Sequence, residues 1–141
     1  MSAISPREIR LALEKRLYDL LKAKEIPLSD KNKGFDPKKA KNRIWARPTT
    51  KLGKIRTIER GEGPEPLGSR VGVFIVQIFL APGISTVLGE DLCEEVERVF
   101  RLINIEGVNC EEPYTEEIGL DSDKSWYQFN VTVPYWAWVG N

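Results

Sequence analysis

Apolar residues in this chain follow two periods, and the alternation between them sets out the elements. Residues 70–80, RVGVFIVQIFL, put Val71, Val73, Ile75 and Phe79 on one side of an extended chain and Phe74, Val76, Ile78 and Leu80 on the other. Only Gln77 interrupts the run, and Pro82-Gly83 stops it. β-branched and aromatic side chains on both faces predict a central strand, with a buried helix turn as the weaker alternative. Ile9, Leu13, Leu17, Leu20 and Leu21 recur at helical spacing instead. Ser5-Pro6-Arg7-Glu8 ahead of them offers a cap, a first-turn proline and a capping-box acid, so a helix is predicted from about Pro6 to Ala23. A second helix is predicted at about Thr86–Leu102, with Leu88, Leu92, Val96, Val99, Phe100 and Ile103 as its buried face.

The remaining strands are shorter or less even. Arg43–Arg47 and Lys51–Arg60 read as two strands at an edge, separated by Pro48. Ile103–Cys110 reads as a strand with a bend or bulge at Gly107. In the last strand Tyr127, Phe129, Val131, Val133 and Tyr135 alternate with Gln128, Asn130 and Thr132, the pattern of a sheet covered on one face and wetter on the other. Pro27–Ala40, 61–68 and the acidic stretch Glu111–Lys124 read as loops. The expected fold is α+β: a mixed or antiparallel β-sheet of four to five strands packed against two helices, with long loops, forming one domain over residues 1–141.

Composition narrows the function. At 41% apolar residues the chain can bury a core. No apolar run approaches the roughly 20 residues of a bilayer span, and the N-terminal residues lack a signal-peptide apolar stretch, so a soluble protein of a reducing compartment with no membrane partner is expected. The chain has no His, which removes His-based triads and imidazole metal sites, and it has no phosphate-loop glycine pattern. Cys93 and Cys110 are too far apart for a metal motif and read as ordinary thiols. No spacing of carboxylates singles out an acid/base pair. No enzyme, cofactor or metal is expected.

Charge changes the picture more. Residues 1–60 carry 17 Lys/Arg and 7 Asp/Glu; residues 61–141 carry 4 and 14. If the two halves face different ways, one copy offers a basic patch to the acidic patch of the next, which suits head-to-tail contact. The bland reading is that the halves cancel within one fold. Trp136 and Trp138, close to the C-terminus, are either tucked under a helix or left for a neighbour to cover. Lys31, Lys33, Lys38, Lys39, Lys41, Arg43 and Arg47 flank Phe35 and Trp45, so the alternative function is nucleic-acid binding by a basic 31–47 arm.

The capped N-terminal helix, the basic loop reaching RIWARPTT, the strand GVFIVQIFLAPG, the acidic helix ending near RVFRL and the terminal WYQFNVTVPYW together resemble the tail-terminator and minor tail completion family of long-tailed bacteriophages. The resemblance spans roughly residues 5–136 and rests on element order. It implies a non-enzymatic virion protein that assembles as a hexameric ring. The ring caps the tail tube and contributes to head–tail joining. The implied partners are further copies, the tail tube protein and head–tail connector proteins. The implied location is the virion tail, with the host cytoplasm during assembly. The family offers no catalytic residue to transfer. Candidate subunit or tube contacts are therefore taken from the arm, the ribbon and the C-terminus: Lys38, Lys39, Arg43, Trp45, Arg47, Lys54, Arg56, Arg60, Trp136 and Trp138.

Overall fold

A computed structural model describes residues 4–29, 43–59, 67–120 and 126–140. The element order is α1 (Pro6–Ala23), β1 (Ile44–Glu59), β2 (Leu67–Leu80), α2 (Thr86–Phe100), β3 (Asn104–Ile105), β4 (Val108–Cys110), β5 (Tyr114–Leu120) and β6 (Tyr127–Gly140). The α+β expectation holds, with six strands where four to five were expected. All strand pairs within the sheet are antiparallel. The order is β1-β2-β6-β4-β3, and β5 also pairs with β6.

The capping box forms as the sequence predicts. Glu8 N–H donates to Ser5 Oγ at 3.2 Å, and Ser5 N–H donates to Glu8 Oε1 at 3.2 Å. Ile9, Leu13, Leu17 and Leu21 are buried along the face that α1 turns to the sheet. α2 starts at Ser85, whose Oγ accepts from Val87 N–H at 3.2 Å. Its buried face is Gly89, Leu92, Cys93, Val96 and Phe100. Leu88, expected inside, is exposed. Gly89 faces the sheet in its stead, so close that a Cβ there would stand 2.6 Å from Leu80 and Phe129.

Both helices pack on one face of the sheet. Phe74, Val76, Ile78 and Leu80 from β2, with Phe129, Val131, Val133, Tyr135 and Ala137 from β6, join the apolar faces of α1 and α2 in one cluster. Fully burying side chains of this size stabilises by about 1.5–3 kcal/mol each.

Three sequence readings need correction. Ile44–Glu59 is not two strands but one, β1. Ala46 N–H donates outward to Pro27 C=O, so even-numbered positions turn their backbone groups away from β2. Pro48, two residues on, therefore loses no bond to the sheet. Ile103–Cys110 is not a bent strand but the hairpin β3–β4, turning at Glu106 and Gly107 with φ 48° and 95°. The acidic stretch after Cys110 is not all loop, since 114–120 is the strand β5. β6 runs through Pro134 to Gly140. Pro134 C=O accepts from Glu111 N–H at 2.8 Å, which aims its backbone at the seam where β5 hands over to β4. A missing N–H is tolerated there.

Candidate interaction surface

Strand alternation gives the sheet a second face, on which neither helix packs. Register assembles it in rows. Arg47, Gln77, Asn130 and Glu116 stand side by side across β1, β2, β6 and β5. The next row is Thr49, Ile75, Thr132 and Tyr114, and then come Lys51, Val73 and Pro134. Val71, Trp136 and Asn109 follow, and Ser69 with Trp138 lie further along.

These rows are not alike. At one end Trp45 stacks on Phe79, centroids 4.2 Å apart and planes 16° from parallel, with Trp126 edge-on to Trp45 at 5.8 Å. Trp45 and Phe79 are buried there in a small cluster of their own. The polar row borders it. Arg47 Nε–H donates to Gln77 Oε1 at 2.8 Å while its guanidinium lies 5.3 Å from the Phe79 ring centre. Beyond the polar row the surface is apolar: Val73, Ile75, Pro134, Trp136 and Trp138 are half-buried, while Val71 is 53% and Tyr114 50% exposed. Trp136 and Trp138 meet edge to face at 5.5 Å. The patch is contiguous and bordered by Arg47, Gln77, Asn130 and Glu116, an apolar centre with a polar rim, which is the form protein contact surfaces take.

β1 and β2 approach closely beside the patch. A register shift lies between Leu52 and Ile55. A Cβ on Gly72 would stand 2.3 Å from Lys51 O and 2.4 Å from the Tyr135 hydroxyl oxygen. That hydroxyl donates to Lys51 C=O at 3.2 Å from the helix-covered side.

The sequence candidates scatter. Trp136 and Trp138 stand on the open face, and Arg47 forms part of its polar border. Trp45 is buried. Arg43, at φ 56°, is exposed beside the start of β1, with its carbonyl accepting from Ala81 N–H. Lys54 is exposed on β1. Arg56 pairs with Ser69 through the strands, which places its backbone but not its side chain. Lys38, Lys39 and Arg60 lie outside the described residues, as does most of the basic 31–47 arm. Sequence reasoning missed Val71, Val73, Ile75 and Tyr114. Their signal was the polar second face of β6, which shows that the neighbouring face of β2 cannot belong to the core.

The covered face holds the chemistry-bearing thiols out of reach. Burial pushes the Cys93 thiol up to about 12, with Glu97 adding to the shift, and burial pushes Cys110 up to about 11. Among the described residues, no three His, Cys, Asp or Glu side chains gather as a metal site. A cleft of about 520 Å³ opens between the end of α1 and α2, lined by Ile26, Ile44, Leu88 and Leu92. At its rim Lys24 is ion-paired to Glu95. No helix among the described residues is long and apolar enough to cross a membrane.

Comparison with known proteins agrees with this architecture. No curated protein matches the chain. A solved structure with 21% identity superposes with a TM-score of 0.66, covering 96% of this chain and 96% of that one, which is a likeness of fold. A family model described as phage tail terminator protein matches residues 8–135. The chain is thus a structural protein of the phage tail, and it belongs to the phage tail terminator family.

Proposed function

We propose that this chain, acting as one domain over its whole length, closes with further copies into a ring that caps the tail tube and contributes to head–tail joining. Family membership supports the place of action. The observation that carries the reading is the open sheet face from Val71 to Trp138, apolar over several rows and left bare by both helices. Exposing such a patch on a free-standing protein invites non-specific association. Burying it against the end of the tail tube removes that cost and gives the assembly a contact made of rigid strands. The hexamer implied by the sequence resemblance is the ring size taken here.

Electron microscopy of open-ended tail tubes mixed with the purified protein tests this. Rings seated at tube ends, with tube growth halted, are expected. Tubes that stay bare and keep elongating while the protein remains monomeric would overturn the reading.

A further inference from the structure

We infer that copies of this chain join through opposite flanks of the fold, the basic α1–β1 flank of one copy seating on the acidic α2–β5 flank of the next. This rests on the ring reading above and adds the surfaces that make the ring.

Three observations converge. The first is a pair of edge strands on opposite sides of the sheet. Among the described residues, β1 pairs as a strand only with β2, and β5 only with β6. On the outer side of β1 the described residues add only the short bridge of Leu28 to Ala46, well before Lys51. An edge strand of this kind presents unpaired backbone groups to any neighbour that fits. The second is that helix and edge on each flank carry the same sign. α1 packs against β1 and α2, while α2 packs also against β6, β2 and β5. α1 and β1 together hold nine Lys/Arg and four Asp/Glu; α2 and β5 hold one and seven. Glu111 extends the acidic flank just ahead of β5, whereas Glu112 is ion-paired to Arg101. The third is the apolar content of the acidic edge. Every residue of β5 except Gly119 is exposed, and Tyr114, Ile118 and Leu120 are each about half exposed. Leu52, beside Lys51 and Lys54, is exposed on the basic edge.

The occupant these features select is a second copy. A two-fold contact would set like charge against like charge, which costs more than it returns. A contact between unlike flanks matches signs, leaves one flank free on each terminal copy, and therefore continues into a ring or a filament, of which the ring reading above selects the ring. Salt weakens it, because exposed charges are screened beyond about 8 Å at physiological ionic strength.

The test uses two charge-reversed full-length chains, Arg7→Glu/Lys54→Glu and Glu94→Lys/Glu111→Lys, which leave the rows of the open face untouched. All four side chains are exposed, so circular dichroism is expected to show native folding in both. Light scattering in solution and ring counts at tube ends read assembly. Each variant alone is expected to need at least tenfold more protein than the parent chain to assemble. An equimolar mixture is expected to recover the parent's behaviour, because alternating copies again match unlike flanks. Folded variants that assemble like the parent, or a mixture that fails to recover, would overturn the flank contact and leave the ring itself standing. A parent chain that associates neither with itself nor with tubes would overturn both.

Discussion

The two faces of β2 are one residue apart in sequence and have opposite surroundings. Phe74, Val76 and Ile78 are fully buried under the helices, and Phe74 meets Phe100 with ring centres 5.5 Å apart. Val71, Val73 and Ile75 are as apolar, but no helix covers them. Side-chain chemistry does not separate the two sets; the partner does. The helices cover one face, and in the function proposed above the assembly covers the other. That division explains a fold with an ordinary core, no exposed reactive thiol and an apolar surface that a free-standing protein would have little use for.

The comparison is broken most severely on the covered side. Phe74→Ala removes a fully buried ring and is expected to cost about 3–5 kcal/mol of folding stability. Denaturant unfolding would read this as a lower midpoint at nearly constant slope.

A smaller effect sharpens it through pH. Cys93, Cys110 and Tyr135 all belong to the covered side, and burial raises them to about 12, 11 and 12. The folded chain therefore keeps protons that the unfolded chain releases. Stability from these groups is fully present below pH 9.0, the ordinary thiol value, and declines as pH rises towards 12. Melting midpoints across that window should fall steadily. A flat profile would place the three groups in water.

Legibility in the sequence follows the same division. α1 announced itself through Ser5, Glu8 and the stripe from Ile9 to Leu21, because burial against one surface imposes a period. The helix-side residues of β2 and β6 were readable for that reason. β5 was not: Tyr114-Thr115-Glu116-Glu117 has no buried face to impose alternation, and it is held by backbone pairing with β6 and by polar side-chain bonds such as Thr115 to Glu97 of α2. β1 read as two strands because Pro48 counts as a stop only if its N–H is needed, and at this edge it is not. Leu88 looked like core because a helical stripe cannot show that Gly89, having no side chain, is the residue that approaches the sheet. The open face was half legible. Trp136 and Trp138 drew notice as aromatics in need of cover, whereas Val71, Val73 and Ile75 were absorbed into a strand thought to be buried on both sides. Charge asymmetry was visible in the composition of the two halves. Its placement on opposite flanks needed the topology, because α1 and β1 are neighbours in space as well as in sequence, while α2 joins β5 across the β3–β4 hairpin.

The most direct measurement compares tail-tube capping and unfolding midpoint for the double variant Ile75→Ser/Trp136→Ser. Both side chains stand on the open face, so the account predicts a stability change of about 1 kcal/mol per site or less, and loss of rings at tube ends. A variant that caps tubes as well as the parent chain, or one that unfolds as readily as Phe74→Ala, would contradict the assignment of the two faces.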